Sequence, residues 1–177
     1  RNNLEGFKSE QLDSIAFTNL RCPRLVFVNG CYVEGLSQLE DLPAQVRVGS
    51  LAELLEKDPA CLEPYLTRYA HYDEHAFVAL NTAFIHDGAF LHVPNDQVIE
   101  KPIHLLYIST APQDPVITHP RNLVVVGNNS QVAILEGYVS LSDQTYFTNV
   151  VTEIVVGENA TVDHYKLHQE SKKAFHI

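Results

Sequence analysis

The sequence has no methionine and no tryptophan, and only three cysteines in 177 residues. Cys22, Cys31 and Cys61 form no close pair, which argues against a disulfide framework and fits a reducing compartment. Position 1 is Arg, so the chain reads as a fragment or a processed piece of a longer product. Positive charge is scarce: 12 Lys and Arg face 22 Asp and Glu, a net charge of −10. Such a surface repels a phosphate backbone, so nucleic acid is not expected as a partner. Long apolar runs are also missing. "LVVV" and "EIVV" are strand-sized, far below the roughly 20 residues of a spanning helix, and no membrane association is expected. No basic segment followed by an apolar one opens the chain, so no secretory signal is read. Neither Gly-x-x-x-x-Gly-Lys-Ser/Thr nor Gly-x-Ser-x-Gly occurs, which removes a P-loop and an esterase elbow. What remains is ordinary globular composition, 45% hydrophobic and 19% charged, enough for one domain or one domain with a small subdomain.

Two characters follow one another along the chain, with a boundary near residue 85. Before it, "RLVFVNGCYV" (24–33) predicts two short strands around Asn29-Gly30, a hairpin dipeptide. "SLAELLEKD" (50–58) opens a helix on Ser50 with Glu53 at capping-box spacing, and Asp58-Pro59 stops or restarts it. "DEHAFVALNTAF" (73–84) predicts a helix with Ala76, Phe77, Leu80, Ala83 and Phe84 on its apolar face, ended by Asp87-Gly88. After residue 85, helical periodicity gives way to β-branched and aromatic runs. "YFTNVVTEIVV" (146–156) alternates. Only the face carrying Phe147, Asn149, Val151, Glu153 and Val155 holds a charge, so the Tyr146 to Val156 face is expected toward the core.

"VVGNNSQVAILE" (125–136) is echoed by "VVGENATVDHYK" (155–166). Each copy predicts strand, turn, strand, with Gly127 and Gly157 free to take the positive φ of a corner, and "FIHDGAFLHV" (84–93) as a looser earlier copy with Gly88 at its corner. A repeat at this period predicts stacked units, as in a solenoid or β-helix, against the plainer alternative of a two-sheet sandwich.

No catalytic constellation emerges. His71 and His75 stand at i, i+4 without a third ligand and read as surface residues. His86, His92 and His104 share no spacing. His164 and His168 are compatible with one strand face, read as solvated, and His176 lies near the end of the chain. Cys22 and Cys31 are too far apart for a zinc knuckle and read as small apolar residues. The adjacent acids Glu40–Asp41 and Asp73–Glu74 point apart and make poor catalytic pairs.

Three stretches together resemble the SufB/SufD family of iron–sulfur cluster assembly proteins: "ALNTAFIHDGAFLHVPNDQVIEKPIHLLYIS" (79–109), "HPRNLVVVGNNSQVAILEGYVS" (119–140) and "YFTNVVTEIVVGENATVDHYKLHQES" (146–171). "KPIHLLYIS" is closer to the SufD branch. The resemblance implies a mainly β chain: a small N-terminal α/β region (1–85), then the first part of a right-handed parallel β-helix (86–177). It also implies a non-catalytic SufD-like scaffold, partnered by a SufB-like paralogue and a SufC-like ATPase, in the cytoplasm or plastid stroma. The iron–sulfur cluster would be assembled on the complex, with sulfur delivered by a cysteine desulfurase system. Reduced flavin is associated with such complexes, but no flavin motif is present. The chain stops at "KKAFHI", before the later turns and C-terminal helices of the family, where the family's candidate cluster-related histidine lies. No catalytic or metal residue is therefore carried over, and His164, His168 and His176 are given no such role. The unpaired edge after Ile177 is expected to make this 177-residue piece aggregate when expressed alone. The rival reading is a β-helix polysaccharide lyase or hydrolase, but Asn149, Glu153 and Asp163 do not recur at a constant offset between repeats. A hexapeptide-repeat acyltransferase is set aside because its six-residue period is absent.

Overall fold

The computed structural model describes residues 7, 11–12, 15, 20–110 and 116–177. The described strands are β1 (Arg24–Val28), β2 (Cys31–Tyr32), β3 (Arg47–Ser50), β4 (Ala89–Val93), β5 (Ile103–Ser109), β6 (Ile117–Thr118), β7 (Arg121–Val126), β8 (Gln131–Ser140), β9 (Phe147–Thr148), β10 (Val151–Val156), β11 (Thr161–Gln169) and β12 (Phe175–His176). Helices α1 (Leu51–Lys57) and α2 (Ala76–Ala83) lie between β3 and β4. The chain is mainly β.

The strands form three sheets, ordered β11-β8-β5-β1-β2, β10-β7-β4-β3 and β12-β9-β6. From β4 onward the chain visits the four-stranded, five-stranded and three-stranded sheets in that order, then returns one strand further along each. All of these pairings are parallel: Leu91 faces Val124, Ile103 faces Ile134, Val124 faces Ile154, and Thr118 faces Thr148. The N-terminal region joins in two ways: β1 adds parallel to β5 and carries β2 antiparallel on its other side, while β3 adds antiparallel to β4. Strands from before residue 85 thus complete two of the sheets.

The repeated Val-Val-Gly-x-Asn segment is the corner between the four- and five-stranded sheets. Asn129 and Asn159 take the left-handed conformation, with φ of 55° and 57°. The glycines do not, contrary to the expectation from sequence. Gly127 and Gly157 are needed for close approach: a Cβ would come within 2.4 Å of Asn95 Oδ1 and 2.5 Å of Asn128 Oδ1 respectively. The earlier copy is also displaced from the expected place. Asp96, with φ of 60°, stacks under Asn129, so "VPNDQV" (93–98) is the matching corner, while Gly88 precedes β4. Asparagine side chains stitch the corners together. Asn95 Oδ1 accepts from Asn128 N, and Asn128 Oδ1 from Glu158 N, each at 2.8 Å.

The main core lies between the five- and four-stranded sheets, where Leu25, Phe27, Leu105 and Tyr107 meet Leu91, Val93, Val124 and Val126. Each such side chain contributes roughly 1.5–3 kcal/mol by leaving water. Both outer faces are covered as well. Val26, Val28, Leu106 and Ile108 pack against Ile15 and Leu36; Phe90, Leu123 and Val125 pack against Leu51, Leu62 and Leu66. Burial on both faces is why β1 and β7 read as continuous apolar runs instead of alternating.

The N-terminal signals act largely as expected. Asn29 and Gly30 carry positive φ in the turn between β1 and β2. Ser50 Oγ accepts from Glu53 N and caps α1, which ends at Lys57 with Pro59 opening a 3-10 turn. Helix α2 departs from its predicted face. Its one buried residue is Asn81, while Phe77 and Phe84 are exposed, and it ends at Ala83, before Asp87-Gly88. The predicted strand 146–156 is broken into β9 and β10, and the face holding Asn149, Val151 and Glu153 is buried instead of solvated.

Candidate functional site

Two buried carboxylate centres stand out. The first lies on the outer face of the four-stranded sheet. Arg121 opens β7 and pairs in register with Val151, so its side chain reaches Glu153 two residues along β10. Both side chains are fully buried. Arg121 Nε and Nη2 donate to Glu153 Oε1 at 3.0 and 2.6 Å. The same carboxylate accepts the backbone N–H of Thr67, Tyr69 and Ala70 at 2.9, 2.9 and 3.2 Å, fastening a strap of chain across the sheet. Arg121 Nη1 donates to Asn81 Oδ1, and Asn81 Nδ2 donates to the carbonyls of Pro120 and Asn149, both at 2.8 Å. Burial would push the Glu153 carboxyl up, but the Tyr69 and Thr67 N–H groups and Arg121 outweigh it and hold it below its ordinary value. Every strong donor here is already used, so this centre is a clamp.

The second centre is inside the stack. Parallel register places side chains in columns: Ile103–Ile134–His164, Leu105–Glu136–Lys166 and Tyr107–Tyr138–His168. The third column is stacked ring on ring, with centroids 4.9 Å apart for the tyrosines and 5.5 Å for Tyr138 and His168. Along these columns the interior changes from Ile103, Leu105 and Tyr107 on β5 to His164, Lys166 and His168 on β11. Glu136 is fully buried. Its carboxylate takes the Tyr138 hydroxyl, His164 Nε2 at 2.7 Å and Lys166 Nζ at 3.4 Å. Burial would raise its pKa; His164, Lys166 and Tyr138 bring it below the ordinary value.

Further along the same interior face, Glu170 stands just past β11, and strand alternation puts it on the side of His168. Glu170 Oε2 lies 2.8 Å from His168 Nδ1 and 2.9 Å from His176 Nδ1, while Oε1 accepts the Tyr146 hydroxyl at 2.8 Å. The two imidazoles meet edge to face, centroids 4.3 Å apart. The Glu170 side chain is only 8% exposed. Burial favours its neutral form, yet the contacts from His176, His168 and Tyr146 hold its pKa down at about 2.

The other sequence candidates do not converge. His71, His75 and His86 are exposed, and His75 stands at the N-cap of α2, so the i, i+4 pair shares no helix face. His104 is buried, its Nδ1 has no hydrogen-bond partner among the described residues, and burial with Arg24 nearby lowers its pKa to about 4. Cys22, Cys31 and Cys61 are free thiols whose pKa values burial raises. His164 and His168 do share a face of β11, as expected, but both contact buried carboxylates. Glu136 and Glu170 were not singled out by sequence. The available signal was His-x-Glu (168–170), whose spacing puts both groups on one face of an extended chain.

Parallel strands returning to the same three sheets in register make this a mainly β chain built on repeated parallel pairing. Residues 8–105 match the SufBD protein N-terminal region, and residues 107–177 match the SufBD core domain of the SUF iron–sulfur cluster assembly system. The chain belongs to the SufBD family. It is 37% identical, over 94% of its length, to an iron–sulfur cluster assembly SufBD family protein of Synechocystis sp., and 28% identical over 95% to the iron–sulfur cluster assembly protein SufD of Escherichia coli. A shorter match, 32% identical over 51% of the chain, is to SufD of Bacillus subtilis, of which it covers 20%. The chain spans 39% of the Synechocystis protein and 37% of the E. coli one. Among the described residues, no helix is long and apolar enough to cross a membrane.

Proposed function

We propose that this chain is the N-terminal portion of a SufD-like scaffold subunit in iron–sulfur cluster assembly. On this reading residues 1–85 are its N-terminal region, and residues 86–177 begin a right-handed parallel β-helix. The subunit acts by binding, not by catalysis, in the cytoplasm or plastid stroma. It pairs with a SufB-like paralogue and a SufC-like ATPase, and the cluster is cargo built on the complex. The observation that supports the reading is that the two family regions match one after the other along the chain, over residues 8–105 and 107–177. Parallel register through three sheets supports the β-helix. A carbohydrate-active enzyme gains no support: of its outward candidates, Asn149 and Glu153 are buried and only Asp163 is exposed.

The test is co-expression of the full-length protein with its SufB- and SufC-like neighbours, followed by sizing chromatography with iron and sulfide assays. A stable complex containing the ATPase is expected. A subunit that elutes alone in the presence of both partners overturns the proposal.

A further inference from the structure

The geometry points to a metal site that goes beyond the scaffold reading and stands without it: His168, Glu170 and His176 bind a divalent first-row transition-metal ion. Their three ligand atoms lie within 4.8 Å of one another. The carboxylate oxygen is 2.8 and 2.9 Å from the two Nδ1 atoms. For bonds of about 2.1 Å, neighbouring octahedral positions are about 3 Å apart, so these separations suit adjacent positions around one ion. Two imidazoles and one carboxylate on one side of an ion, with other positions left open, is the donor set of divalent iron and its neighbours.

Three further observations favour an ion over a plain hydrogen-bonded cluster. Both Nδ1 atoms face the same oxygen, Glu170 Oε2. His176 Nδ1 approaches it at 2.9 Å, and among the described residues neither buried ring nitrogen of His176 has a partner in hydrogen-bond geometry. Tyr146 holds the other carboxylate oxygen at 2.8 Å, so Oε2 is kept turned toward the imidazoles, as outer partners orient metal ligands. The rings are also fixed in place: His168 lies flat on Tyr138 at 5.5 Å and His176 meets the same ring edge-on at 4.5 Å. The histidine pair that sequence spacing suggests, His71 and His75, has none of these features and serves as the internal control.

The full-length protein, with its natural ends, is titrated anaerobically with Co²⁺ alone, read by visible d–d absorption and calorimetry, and then with Fe²⁺ in competition. One Co²⁺ per chain with nitrogen/oxygen-type absorption is expected, displaced by Fe²⁺. Glu170→Gln, His176→Gln and His168→Gln should each weaken Kd at least tenfold, and Tyr146→Phe roughly tenfold through the carboxylate it orients. His71→Ala with His75→Ala should leave the titration unchanged. Thermal melts check that each variant is folded; His168, with 43% of its side chain exposed, is the position most able to tolerate change. The site is refuted if the wild type takes up no Co²⁺, or if folded His168→Gln and Glu170→Gln proteins titrate like the wild type. Either result leaves partner binding untouched, so it is separable from failure of the scaffold reading.

Discussion

The clamp at Glu153 and the cluster at Glu170 both hold a carboxylate out of water, yet they are built to different ends. Glu153 is met by a permanent cation and three backbone N–H groups from a strap distant in sequence. Glu170 is met by two neutral-capable imidazoles and a phenol, and one of those imidazoles has no partner in hydrogen-bond geometry among the described residues. A carboxylate whose partners are all committed closes a fold. One whose partners can also donate to a metal leaves chemistry open. The difference lies chiefly in the partners: the Glu153 side chain is fully buried, that of Glu170 nearly so, and both titrate below their ordinary range.

The sharpest way to break this comparison is to remove Arg121. Arg121→Leu strands Glu153 in the interior and should cost about 3–5 kcal/mol in urea unfolding. It should also expose the strap around Thr67 to protease. A cost below about 1 kcal/mol would show that the clamp is not structural. Next in size, matched amides should separate the two centres. Glu153→Gln turns an N–H₂ toward backbone donors and should cost about 2–3 kcal/mol, while Glu170→Gln should cost about 1 kcal/mol, because its partners sit closer to solvent. Equal losses would erase the distinction.

A histidine buried without any carboxylate gives a third contrast. His104 stays neutral when folded, down to about pH 4, whereas an unfolded histidine takes up a proton below about 6.5. The unfolded state then binds more protons, so stability present at neutral pH is lost as pH falls from about 6.5 to 4, by up to about 2–3 kcal/mol. His92 and His119, also shifted down by burial, add to the same window. His104→Leu should flatten this slope in denaturant midpoints measured across that range; an unchanged slope would assign it elsewhere. The smallest effect belongs to Lys166→Met. Its ammonium is 3.4 Å from Glu136 and partly exposed, and His164 and Tyr138 remain, so the loss should stay below about 1 kcal/mol.

Local signals were legible where they depend on near neighbours. Asn29-Gly30 made its turn, Ser50 capped α1 and Pro59 restarted the chain as a 3-10 turn. The repeated Val-Val-Gly-x-Asn segments announced stacking. Signals failed where a distant segment changed what counts as inside. Glu153 marked a strand face as solvated, but the strap from 67–70 buries that face and neutralises the acid. Phe77 and Phe84 marked an apolar helix face, but Asn81 is the residue α2 turns inward, because Arg121 and two carbonyls need its amide. The metal cluster was half legible: His168 in β11 and Glu170 just past it stand two residues apart in extended chain, but nothing local joins them to His176.

By itself the sequence determined the β character after residue 85, the period of the repeat, the turn and cap chemistry of the N-terminal region, and the family to which the chain belongs. Each follows from interactions within a few residues or from a pattern written along the chain. Only the tertiary structure decided which polar residues are buried, and with which partners. Parallel register sets Leu105 beside Glu136 and Glu136 beside Lys166, and the passage through three sheets brings His176 to Glu170. A side chain's surroundings in such a stack come from residues about one circuit away, and alternation along a strand carries no information about them.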